Sequence, residues 1–171
     1  MLIEILMALS EKEFFQHTEE ELDRFMEARE YETDDMYYRE CYVTPRALIN
    51  MLNHGIHGGR QEILGFLYGH VFNHRFTLTD SFATSVLGTE TNVNATVEAN
   101  DEMIEHFTST HDCGRLEKIC GWYHSHPEYG CWLSGVDIKS QRMCQTGYKT
   151  FVALVVDPIQ TASTGKVFLG A

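Results

Sequence analysis

Two histidines spaced by one residue, His124 and His126, are followed by Ser134 and Asp137 within the stretch GWYHSHPEYGCWLSGVD at 121–137. On an extended strand residues i and i+2 point to one side, so both imidazoles can reach a single point. If Ser134 caps a helix, Asp137 stands at the third helical position and can turn back toward them. Two neutral nitrogens and one carboxylate give a tetrahedral zinc three protein ligands and leave its fourth position to water. That is the pattern of a hydrolytic site, whereas a structural site closes all four positions. A His-X-His pair carries little weight alone in a chain with nine histidines, because both rings could simply be packed. The small and polar residues around it favour metal, since a core histidine is expected singly among apolar neighbours.

Three other chemistries compete for the same stretch. Cys131 is a conceivable fourth ligand, but a thiolate there would shut out water, so it reads as a packed residue. Ser134 as a nucleophile would lack a free base once both histidines hold metal. A nucleobase deaminase would need Pro-Cys-X-X-Cys, which the sequence does not contain.

The elements that must position these residues follow from local patterns. A strand over 118–125 feeds the motif, a helix covers 134–145, and the apolar FVALVV within 150–157 is a buried strand. Thr44-Pro45 marks a helix start, with Ala47, Leu48, Met51 and Leu52 at helical spacing and Gly55, Gly58 and Gly59 near its end. Strands over 62–72 and 76–84, joined by Asn73-His74-Arg75, form an antiparallel hairpin. Residues 87–94 read as loop, 95–110 as helix ended by Cys113-Gly114, and 166–169 as a last short strand. Thr18 to Glu21 has capping-box form and opens a short helix through Ala28, and EYETDDMYY after it reads as a polar linker. Helices and strands in mixed order indicate an α/β fold with helices packed on a sheet.

At 171 residues the chain suits one domain with a real core. Its net charge of −12 is concentrated in residues 1–40, which carry 13 acidic and 4 basic side chains. That balance repels phosphates and excludes nucleic acid as a partner. No run of 18 uncharged apolar residues occurs, so no membrane span is expected. MLIEILMALSEKEFF carries Glu4 and no basic start, and reads as an amphipathic segment instead of a secretory signal. Five cysteines without a CxxC pair argue against a disulfide framework and for a reducing compartment. The remaining histidines, His17, His54, His57, His70, His74, His106 and His111, show no ligand spacing and suit surface or capping positions.

The string His-Ser-His, seven residues, then Ser-X-X-Asp, with Glu62 upstream in QEILGFLYG, resembles the JAMM/MPN+ zinc metalloproteases. Within them the chain is most similar to the branch that provides the catalytic subunit of the COP-nine signalosome. The resemblance runs from about Thr44 to Ala171 and includes GTETNVNA at 88–95, GRLEKICGWYHSHP at 114–127 and TGKVFLGA at 164–171. It implies a single MPN (JAMM) domain over 44–171, a central, mostly antiparallel mixed sheet flanked by helices, behind an acidic, partly helical arm at 1–43. It also implies Zn²⁺ held by His124, His126 and Asp137, Glu62 as general acid and base, and Ser134 as oxyanion donor. The implied activity is removal of a ubiquitin-like modifier from lysine, foremost from cullins. A deubiquitinase of the proteasome-lid type and a non-catalytic scaffold subunit are the alternatives. The implied partners are modified cullins, a sister MPN subunit and other signalosome subunits, with no membrane, in cytoplasm and nucleus. Trp122, Tyr123 and Trp132 read as packing residues that hold the motif.

Three departures accompany the likeness. Glu128 stands where relatives have glycine after His-Ser-His-Pro; if that position uses positive φ the turn is strained, and the added charge lies beside the metal, so reduced or altered activity is expected. Asn92 replaces the arginine of GTETRVNA and cannot form its ion pair with the metal-ligating aspartate, which implies weaker self-inhibition, through Glu90 and Thr91 alone. Relatives also continue past the position of Ala171, so a domain truncated at its C-terminus is expected.

Overall fold

The structure, a computed structural model, describes residues 2–5, 19–34, 37–87, 97–112 and 117–171. Its elements are β1 (Leu2–Ile5), α1 (Glu19–Ala28), a 3-10 turn (Glu30–Glu32), β2 (Glu40–Val43), α2 (Pro45–Gly58), β3 (Ile63–Phe72), β4 (Arg75–Leu87), α3 (Val97–Asp112), β5 (Lys118–Ser125), α4 (Gly135–Gly147), β6 (Val152–Val156), α5 (Pro158–Thr164) and β7 (Leu169–Gly170). Among the described residues seven strands form one mixed sheet in the order β1-β2-β4-β3-β5-β6-β7. The pairs β3–β4, β3–β5 and β6–β7 are antiparallel, and the other three junctions are parallel. This is the expected α/β architecture.

Local chemistry explains the framework. The Thr44 side chain accepts from the Ala47 N–H at 3.2 Å, Pro45 opens α2, and Gly59 at φ 64° follows it, so both ends of the helix are chemically specified. Asn73 and His74 both take positive φ, the conformation that a two-residue hairpin turn requires between right-twisted strands. The first seven residues of β3 are all buried, because helices cover both faces of the sheet and alternation is lost. On one face Met51 of α2 packs with Leu67, Tyr123 and Leu154. On the other, Phe66, Trp122 and Ala153 pack with Met103 of α3 and Cys144 of α4. Gly65 sits at a tight crossing, where a Cβ would lie 2.3 Å from the Tyr123 ring.

Three parts of the sequence reading change. The apolar start contributes β1, which pairs in parallel with β2; both strands lie in the segment expected to form the arm, and both extend the sheet. The two tyrosines that end EYETDDMYY are packed and not part of a polar linker: Tyr37 is buried, and Tyr38 lies 4.7 Å from Phe76 between ring centroids. The last strand is shifted to Leu169–Gly170 because Asp157, Pro158 and Gly165 supply the cap, first turn and left-handed stop of α5. Thr18, the loop 88–94, Ala95 and Cys113-Gly114 lie outside the described residues. No helix among the described residues is long and apolar enough to cross a membrane.

Candidate metal centre

Strand β5 delivers the two histidines. Its parallel pairing with β6 sets His124 beside Val155, and the His126 N–H continues the ladder by donating to the Val156 carbonyl at 2.9 Å. Residues 124 and 126 thus remain extended and share a side, as the spacing requires. Helix α4 delivers Asp137. Ser134 Oγ accepts from the Asp137 N–H at 3.2 Å, and Asp137 Oδ2 accepts from the Ser134 N–H at 2.6 Å. This reciprocal capping box turns the carboxylate back over the helix start.

The three side chains converge. His124 Nε2 and His126 Nε2 are 3.0 Å apart, and Asp137 Oδ2 lies 3.4 and 3.8 Å from them. All three residues are buried, and the group could hold a metal ion. The donor chemistry fits a cation. His126 Nδ1–H donates to the Gly130 carbonyl at 3.0 Å, which fixes its tautomer and leaves Nε2 as a lone pair facing another nitrogen and a carboxylate. A cation would satisfy that lone pair and the carboxylate together. Burial, with His124 nearby, pushes the His126 imidazole below its usual value, against the pull of the Gly130 carbonyl, Asp137 and Asp157. It is therefore neutral, the form that ligates metal. Burial alone would raise the Asp137 carboxyl, but the His124 contact and charge and the Ser134 bonds outweigh it and bring it down to about 2.

The walls are aromatic. Trp122 stacks on the His124 ring at 4.8 Å and 16°, and its indole N–H donates to Gln141 of α4 at 2.8 Å. That bond ties the strand carrying the histidines to the helix carrying Asp137. Tyr123 faces the opposite side, buried, with its hydroxyl 2.8 Å from His54 Nδ1. Trp132 is 54% exposed and approaches His126 edge-on at 5.3 Å, so it borders the site from solvent as well as packing on it. Cys131 is not part of the converging group, and burial pushes its thiol up to about 11, unlike a ligating thiolate.

Glu62 lies just before β3, whose Leu64 pairs with His124. The Ile63 N–H donates to Ser125 Oγ at 3.1 Å, holding Glu62 alongside the motif. Its Oε1 accepts from the Tyr129 hydroxyl, and the Tyr129 ring stacks on His126 at 4.4 Å. Two residues escaped the sequence reading. Tyr129 bridges a histidine and Glu62, which no spacing rule signals. Buried Asp157 accepts from the Glu128 N–H at 3.0 Å and from the Gln160 N–H at 2.9 Å; Asp-Pro after a buried strand was a legible cap signal. Three of the histidines expected at surface or capping positions are instead partly buried against aromatic residues: His54 on Tyr123, His74 on Tyr37 at 4.2 Å, and His106 stacked on Phe82 at 4.2 Å. Glu128 takes φ 72°, the positive value anticipated from its glycine-like position. Asn92 with Glu90 and Thr91 lies outside the described residues; turnover of Asn92→Arg below that of the parent is the expected sign of restored self-inhibition.

The sequence matches the family described as JAB1/Mov34/MPN/PAD-1 ubiquitin protease over residues 36–148, about two thirds of the chain. It is 41% identical over 159 residues to COP9 signalosome complex subunit 5 of Drosophila melanogaster, covering 93% of this chain and 49% of that protein. The Aspergillus fumigatus protein of the same name is 44% identical over 157 residues, covering 92% and 47%. Subunit 5b of Arabidopsis thaliana is 43% identical over 148 residues, covering 86% and 41%. The chain spans about half the length of the curated relatives it matches.

Proposed function

Because this chain belongs to the JAB1/Mov34/MPN/PAD-1 ubiquitin protease family, we propose that it is a zinc-dependent isopeptidase that removes a ubiquitin-like modifier from lysine, foremost from cullins. The observation that carries this reading is the convergence of His124, His126 and Asp137 with Glu62 alongside. Zinc suits the donor set: with Zn–N near 2.0 Å, tetrahedral ligands stand about 3.3 Å apart, within the observed 3.0 to 3.8 Å. Bound there, zinc would acidify water and polarise the isopeptide carbonyl.

The chain's own residues supply the rest. Glu62 takes the proton of the attacking water and returns it to the departing lysine amine as the C–N bond breaks, leaving a carboxylate and a free amine. Ser134 accepts from the Asp137 N–H through a lone pair, which leaves its hydroxyl proton to donate to the carbonyl oxygen as charge develops there. Ser134→Ala is expected to lower kcat about 10²–10³-fold and folding stability by about 1 kcal/mol through the lost cap. Turnover kinetics and urea unfolding on the same preparation separate the two effects.

Modified cullins, a sister MPN subunit and the other signalosome subunits are the proposed partners, in cytoplasm and nucleus. The test is cleavage of matched lysine conjugates of the cullin modifier and of ubiquitin by metal-loaded protein. Preference for the first supports the proposal, preference for ubiquitin replaces it with deubiquitination, and cleavage of neither rejects it.

A further inference from the structure

The turn after His126 and the segment before β3 meet at two points. Arg60 Nη2 lies 3.3 Å from Glu128 Oε2, and the neighbouring Tyr129 hydroxyl donates to Glu62 Oε1. Both sides are anchored from behind. The turn is pinned by the Glu128 N–H on buried Asp157 at 3.0 Å, by His126 Nδ1 on the Gly130 carbonyl, and by the Trp132 indole N–H on the Tyr129 carbonyl at 2.9 Å. The opposite segment is fixed by Gly59 at the end of α2 and by the Ile63 N–H on Ser125. Glu128 holds φ 72°, a conformation that a residue with a Cβ adopts at a cost. The Arg60 ion pair is what it gains there and a glycine could not.

The position of Glu62 gives these contacts a consequence. Its carboxylate is not in the converging group and is held by Tyr129, which is 42% exposed and sits at the rim. One of its two oxygens is engaged there, so the carboxylate is less free to turn toward water between the histidines.

We propose that the Arg60–Glu128 and Tyr129–Glu62 contacts form a clasp that keeps Glu62 at the rim, with Arg60, Glu128 and Tyr129 as positioning residues that restrain the base. This rests on the reading of Glu62 as the base. The ion pair is largely exposed, at 84% and 49% of the two side chains. Such a pair is weak and screened by salt, which suits a clasp that opens when a charged surface docks over it.

The test uses the full chain loaded with zinc and four variants: Arg60→Gln, Glu128→Gln, the charge-reversed Arg60→Glu/Glu128→Arg, and Tyr129→Phe. Glutamine at 128 removes the charge and keeps a Cβ at the same φ, so backbone relief does not confuse the result. Both glutamine variants are expected to raise kcat about two- to five-fold, the range an exposed pair can supply, with KM unchanged. Tyr129→Phe keeps its ring for His126, loses the hydroxyl, and raises kcat at least as much. Between about 0.02 and 0.3 M salt the parent approaches the glutamine variants while they stay level, and charge reversal returns kcat to the parent value. Glutamine variants at or below the parent, with the parent's salt slope, overturn the proposal.

Amide exchange supplies a readout that needs no cleavage. Exchange at Ile63 and at 128–130 is expected to quicken in Arg60→Gln and Glu128→Gln, and no further in the double variant. Strictly additive exchange sinks the clasp whatever the activity. Coupled exchange in a protein that cleaves no isopeptide rejects the isopeptidase reading and leaves the clasp standing as a structural tie.

Discussion

Glu62→Gln is expected to lower kcat for isopeptide cleavage by about 10²–10⁴-fold, the usual worth of one general acid–base group, while bound zinc stays at the parent level. The two halves of this result come from different parts of the structure. Glutamine has the size of glutamate and can still accept from the Tyr129 hydroxyl that now meets Glu62, so the local packing survives. It cannot take a proton from water. The metal is unaffected because Glu62 is not in the converging group of His124, His126 and Asp137. Turnover on a modifier–lysine conjugate, with metal analysis of the same protein, reads both. Cleavage within threefold of the parent would remove Glu62 from the mechanism, and loss of metal would make it a ligand.

Asp137 has two duties that paired substitutions can divide. Its Oδ2 lies within 3.8 Å of both imidazoles and also accepts from the Ser134 N–H. Asp137→Asn keeps an oxygen for the cap and loses the charge, so metal affinity is expected to fall more than about 100-fold, beyond the cost of losing a supporting partner. Without the carboxylate charge the metal-free variant is also expected to be less stable than the parent near neutral pH. Asp137→Ala loses metal equally and forfeits a further ~1 kcal/mol of helix capping. The sign of the acid dependence follows from the depressed carboxyl. In the metal-free parent Asp137 is held down to about 2, so its stabilising contribution is complete above the unfolded value near 4 and disappears as pH falls through the folded one. Asp137→Asn lacks that acid limb. Metal titration and urea midpoints from about pH 2 to 6 distinguish these outcomes; an alanine variant that binds zinc like the parent would exclude Asp137 from the centre.

The candidate metal centre was largely legible because each of its parts rests on local geometry. His124 and His126 share a side through strand periodicity, and Asp137 points back because Ser134 caps the helix three residues earlier. Helix α2 was legible for the same reason, with Thr44, Pro45 and Gly59 marking its ends within one short stretch. Strands β1 and β2 were not, because four residues paired in parallel gain their partner from distant chain, and LIEI or ECYV alone carries no pattern.

Glu62 marks the boundary between the two kinds of information. Among 25 acidic residues no spacing selects it, and only the resemblance pointed there. What brings it to the motif is the antiparallel pairing of β3 with β5, fixed by Leu64 opposite His124. The contacts of Arg60 with Glu128 and of Tyr129 with Glu62 join residues 68 and 67 positions apart. Sequence patterns report what a helix or strand does within its own few turns, and so they marked the three residues that converge. Which distant side chains then face those residues is set by sheet register and loop closure, and only the folded chain decides that.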